Sequence, residues 1–301
     1  MQTTLPANEI IERIQNEIGV EWHEDSGDGI AAGDAETEIH GVTVSVWPTL
    51  EVLRRAVADR KNLIVTHEPL FWTDEDPAKV IPGDRLAEAK RSLIFENQLV
   101  VFRLHDHWHL RRPDPFWTGL GRALGLDRYG LGRQDLVDAS HSDRSETASR
   151  LESTHRLPPI SLAALVENIE RRMSIHSIRV VGDPKLEISE LALCPGFCSL
   201  ARAAANLASA DALIVGECRE WEGVEYVRDL AASGAAKAMI VLGHAVSEEP
   251  GMELCAEWLG ALVPELEVGY VRANAPFWTT AAGSGTLSRA LSGPTSKAKG
   301  L

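Results

Sequence analysis

Short runs of β-branched and aliphatic residues recur along this chain, and amphipathic stretches alternate with them. HGVTVSVW (40–47), LIVTH (63–67), LVVFRLH (99–105), DALIVGEC (211–218) and AMIVLGH (238–244) are the clearest. Apolar runs this short, bounded by turn residues, read as strands buried on both faces. The stretches between them carry helical spacing: PTLEVLRRAVADRK, GDRLAEAKRSLIFENQ, SLARAAANLAS and EYVRDLAASG. Alternation of this kind specifies an α/β fold, with sheets flanked by helices. Further helices are expected in ANEIIERIQNEIG, DPFWTGLGRALGL, SLAALVENIERRM with Ser161 as its cap, and GMELCAEWLGALV. Further strands are expected in SIRVVGD, ISELALCPG and LEVGYVR.

The alternation stops between about 127 and 156, where the chain is polar and poor in aromatics, and a surface connection is expected there. The last residues, 286–301, have few apolar anchors and read as a loose tail. At 301 residues the chain has room for two modest domains or one large one, and 44% hydrophobic content is ample for their cores. No run reaches the ~18 apolar residues a membrane helix needs. The start of the chain is amphipathic and acidic, unlike a signal peptide, so a cytoplasmic protein is expected. A net charge of −14 makes nucleic acid an unlikely partner, because phosphate neutralisation needs clustered lysine and arginine. Cys194 and Cys198 form a C-x3-C at an expected turn, but a zinc knuckle needs a second pair, so reduced, packed thiols are expected.

In α/β sheets, ligands bind beyond the carboxyl ends of the strands. Those ends here deliver His67 and Glu68, then His105, Asp106, His107 and His109, then Glu217, then His244 with Glu248 four residues on. His105, His107 and His109 alternate, so an extended backbone would point them the same way. His244 and Glu248 would share a face if their helix began early. Imidazole and carboxylate together suit zinc, iron, nickel or manganese. Against this, a histidine at a strand end is commonly structural, and Glu248 and Glu249 could be first-turn acids favoured by the helix dipole. Trp72 and Trp108 flank the set and are either packing residues or a platform for a base. GLGRALG (119–125) lies inside a helical pattern and is no dinucleotide fingerprint.

These segments resemble the NIF-three-like family, also known as GTP cyclohydrolase type two homologues. The likeness runs in order through DSGDGIAAGD, LIVTHEPLFW, LHDHWHL, LALCPGFCSL, DALIVGEC and VLGHAVSEEPGMELCAEWL, over roughly residues 8 to 280. It implies two α/β domains with mixed sheets, the second inserted in the first. The implied division is 1–126 with 236–285 for the metal-site domain and 127–235 for the insertion. It implies a two-metal site held by His67, Glu68, His109, His244 and Glu248, with Glu217, His105 and His107 as candidate acid–base groups. Two positions depart from the family pattern: Glu68 stands where the family has a second histidine, and His109 where it has an aspartate. The swaps offset each other in ligand type. Trp221 replaces a further histidine that the family often carries. A homohexamer is implied as the assembly. The implied activity is metal-dependent hydrolysis of a small, nucleotide-like substrate; the alternative is a non-catalytic metal-binding or scaffold protein.

Overall fold

The computed structural model describes residues 4–73, 77–129 and 154–277. Most of the connection expected over 127–156, and the whole 286–301 tail, lie outside these residues.

Two five-stranded sheets carry the fold. The first runs in the order Glu267–Tyr270, Gly41–Ser45, Leu63–Thr66, Val100–Arg103, Gly29–Ala32. Its first four strands are parallel, and the edge strand Gly29–Ala32 is antiparallel. The second sheet runs Thr154–Ser161, Glu187–Phe197, Ala212–Glu217, Ala238–Val241, Arg179–Val181. Its three inner strands are parallel and both edges antiparallel. Every residue of Leu63–Thr66 and Ala238–Val241 is buried, as their unbroken apolar runs require. The second sheet falls wholly between two strands of the first, so the second unit is inserted. Ala238–Val241 pairs with Ala212–Glu217. The chain therefore returns to the first sheet after Val241, later than the expected residue 236.

Side-chain caps start five of the described helices. Thr49, Asp84, Asp114, Ser161 and Ser199 each accept a backbone N–H in the first turn of the helix that follows. One helix joins the two units. His244–Leu262 packs against strands of both sheets and crosses the helix Pro115–Ala123. At the crossing, Gly119 lies on the backbone of Pro250 and Gly251, and a Cβ on Gly119 would sit 2.6 Å from the Pro250 carbonyl carbon. Only glycine permits so close an approach. The helix begins at His244, well before the GMELC segment, and carries Pro250 in its interior.

The structure corrects three local expectations. Asp106–Leu110 is a short helix and not an extended segment. Cys194 to Phe197 continue a strand, so the bend falls at Cys198. The polar residues from Thr154 form an edge strand that the sequence pattern does not mark. None of the four cysteines forms a disulfide. No helix among the described residues is long and apolar enough to cross a membrane.

Candidate metal centre

Three strand ends and one helix start meet where the two sheets face each other across His244–Leu262. Leu63–Thr66 ends one residue before His67, which is fully buried, and Glu68 follows. Because the helix begins at His244, the condition for His244 and Glu248 to share a face is met. His244 Nε2 stands 2.8 Å from Glu68 Oε1 and 3.2 Å from Glu248 Oε2. His67 Nε2 stands 3.7 Å from the same Glu248 oxygen. From the second sheet, Glu217 reaches His244 Nδ1 at 3.1 Å. Gly196, at φ +67, brings its backbone so near Glu248 that a Cβ there would collide with the carboxylate. The Gly196 N–H donates to Ser247 Oγ, which donates in turn to the His244 carbonyl.

The short helix adds two more rings. His105 and His109 are four residues apart and turn to one side, toward His67; the ring centroids of His105 and His109 lie 4.2 and 5.0 Å from that of His67. Phe116 closes against both His67 and His109. Two groups of three result, His67–Glu68–Glu248 and His67–His105–His109. In each, one ligand atom per residue lies within 4.8 Å of the others, near enough to hold a metal ion.

The second nitrogen of every ring in this cluster is engaged. His105 Nδ1 meets Asp106 at 2.7 Å, His109 Nδ1 meets Asp114 at 3.1 Å, His244 Nδ1 meets Glu217, and His67 Nδ1 faces the Leu104 carbonyl at 3.4 Å. Metal-binding histidines are held this way, by a carboxylate or carbonyl on the nitrogen that does not bind. Meanwhile His67 Nε2, His244 Nε2 and Glu248 Oε2 are buried without an aligned hydrogen bond. Buried polar atoms are nearly always hydrogen-bonded. Three that converge without such bonds fit a cation between them.

The family described as Duf34/NIF3 (NGG1p interacting factor 3) matches residues 6–275. The chain belongs to this family. A GTP cyclohydrolase 1 type 2 homolog of Clostridium acetobutylicum is 23% identical over 235 residues, which is 78% of this chain and 82% of the relative. Its counterpart in Clostridium perfringens is 24% identical over 223 residues, 74% of this chain and 78% of the relative. A Bacillus cereus protein related to NIF3 shares the fold, with a TM-score of 0.69 at 15% identity over 92% of this chain and 99% of its own.

In this NIF3 protein the electrostatics of the cluster are uneven. Burial, helped by His105 and His109, pushes the His67 pKa well below its ordinary value and keeps the ring neutral. Burial would also lower His244, but Glu217, Glu248 and Glu68 outweigh it and push its pKa up to about 12. Glu68 is drawn the other way: burial would raise it, yet His244 holds it below the usual carboxylate range. Burial would lower His109, and Asp114 overrides this to raise it.

His67, Glu68, His109, His244 and Glu248 are thus brought together, with His105 among them. His107 is not. The helical turn sends its ring to the opposite side, where it is fully buried and stacks on Trp22 at 3.8 Å. There Nδ1 meets Asp28 at 2.7 Å and Nε2 accepts the His23 N–H at 2.9 Å, so both nitrogens are occupied and no acid–base role is left. Glu217 reaches the cluster through His244. Trp108 is a packing residue, 2% exposed, whose indole donates to the Gly251 carbonyl. Trp72 is half exposed and lines a cleft beside His244.

Sequence reasoning missed the supports. Asp114 caps Pro115–Ala123 through Oδ1 and holds His109 through Oδ2. The Asp-Pro pair before a helical run was the available signal. Asp28 accepts the N–H groups of His105, Asp106 and His107 from some 77 residues away, and nothing local marks it.

Proposed function

We propose that this NIF3 protein is a metal-dependent hydrolase that holds two divalent ions and acts on a small, nucleotide-like substrate. His67, Glu68, His244 and Glu248 would hold the ions, with His105 and His109 completing the second position. The observation that carries the reading is that all four histidines have Nδ1 engaged, which leaves Nε2 for the centre. Zinc, iron, nickel and manganese all suit this donor set. Such ions, when bound, supply Lewis acidity at a substrate oxygen.

The chain's own residues set the rest. Glu217 fixes the His244 ring and so acts as a positioning residue. Asp106 holds His105 at Nδ1 and so keeps its ring turned toward the centre. Phe116 packs over His67 and His109 and keeps bulk water from that side. That the clostridial relatives are GTP cyclohydrolase 1 type 2 homologs supports a nucleotide-like substrate. A cytoplasmic homohexamer belongs to the same proposal and is supported by the family resemblance.

The test is metal content per chain in protein purified without chelator, for the wild type, His67→Ala and Glu248→Ala. About one to two ions per chain are expected in the wild type, with clear loss in both variants. A folded wild type without metal would overturn the reading. Bound metal without turnover in a hydrolase screen would leave a metal-binding protein and remove the enzyme.

A further inference from the structure

Beside the His244–Glu217 pair lies an open cleft of about 490 Å³, within the usual size of small-molecule sites. Its walls are mainly apolar. Trp47 and Trp72 contribute two aromatic faces, and Trp47 also meets the His244 ring edge-on at 5.8 Å. Against this background one buried cation lines the cleft. Lys90 is 3% exposed, and its Nζ lies 5.1 Å from the centre of the Trp72 ring. It donates to the Leu70 carbonyl at 2.5 Å, and no carboxylate pairs with it among the described residues. An ammonium group has three donors, so two are left over. A buried charge without a counter-ion is costly unless something fills the place of its partner.

We propose that this cleft is the substrate pocket of the metal centre, and that it takes a flat aromatic ring bearing a single anionic group, paired with Lys90. The proposal rests on the hydrolase reading for the word substrate, but the binding itself does not need a metal. The aromatic walls suit a planar ring. Glu217 is paired with His244 at 3.1 Å at the edge of the cleft, which leaves Lys90 as its one charged side chain without an ionic partner. One carboxylate or one phosphodiester on the ligand would balance Lys90. A nucleoside triphosphate would bring several negative charges to a place with one cation that lacks an ionic partner. The ligand class is therefore narrower than a nucleotide: an aromatic acid or a singly anionic aromatic ester. Burial keeps the Lys90 pKa down at about 8, so the amine is still largely charged at pH 7.

The experiment is calorimetric titration of the full chain, stripped of metal, with 2-naphthoate and with its neutral counterpart 2-naphthylmethanol. Naphthoate should bind at least about tenfold more tightly than the alcohol, as expected for a charge-assisted hydrogen bond. Lys90→Met should erase that preference and leave alcohol binding in place. Leu86→Glu offers a second route if K90M does not fold. Leu86 is partly exposed, lines the same cleft and lies one turn before Lys90, so an acid there would occupy the amine. It should erase the same preference. Trp72→Ala should weaken both probes. No binding by the wild type would overturn the proposal, as would a naphthoate preference that survives K90M or L86E. Using metal-free protein keeps the two readings apart: a failed metal-content test leaves this result untouched, and the reverse holds.

Discussion

Lys90 shows how much one side chain costs when its surroundings do not match it. Its pKa falls from 10.5 to about 8 because burial disfavours the charged form. The folded chain therefore binds this proton less tightly than the unfolded chain does. The penalty is present in full below about 8, and it fades as pH rises from there toward 10.5. K90M removes the charge and should stabilise the protein by about 1–2 kcal/mol at pH 7, after allowing for the lost hydrogen bond to Leu70. The gain should shrink as pH rises past 8. Urea unfolding of both proteins at pH 7 and pH 10 reads this directly, and an equal difference at the two pH values would contradict it. Stability is thereby given up at a residue that lines the proposed pocket.

Among the elements, the crossing of Pro115–Ala123 with His244–Leu262 does most to set the centre. One helix follows Asp114, the partner of His109, and carries Phe116; the other carries His244 and Glu248. A Cβ on Gly251 would strike Phe116, and one on Gly119 would strike Pro250. Gly251→Val should therefore push the helices apart, cost about 3 kcal/mol or more, and lower metal content in whatever protein remains folded. Denaturant midpoints and bound metal, measured together, check both halves. The sequence made the long buried strands and most helices legible, because burial on both faces leaves an unbroken apolar run. It also pointed to His67, His244 and Glu248, since strand ends in α/β folds are where ligands gather. The direction of His107 was not legible. A five-residue helix has too little periodicity to show, and its cap, Asp28, comes from a distant loop. Pro250 hid the early start of its helix, because a proline reads as a helix beginning when nothing reveals what precedes it. Asp114 was legible as a cap but not as the partner of His109, which is a tertiary fact.

Across the whole molecule, the buried apolar residues of the two sheets do not separate into one core each. The largest cluster runs from Ile10 and Val44 through Leu120 and Met252 to Leu191 and Ile214, and each sheet adds a smaller cluster of its own. Unfolding should accordingly be one cooperative transition for the described units, with tryptophan fluorescence and far-ultraviolet circular dichroism giving coincident curves. Two resolved transitions would show that the units are energetically independent. The long helix also governs what could be removed from this protein. An engineer wishing to trim the insertion would find no clean seam, because the helix that returns from it begins with His244 itself. Deleting the second sheet would take away Gly196 and Gly216, whose bare backbones leave room for the Glu248 and Ser247 side chains. Those two side chains would then face water. The shortest version of this chain that keeps the centre is thus close to the full fold, and a tolerated deletion must be sought on an outer edge.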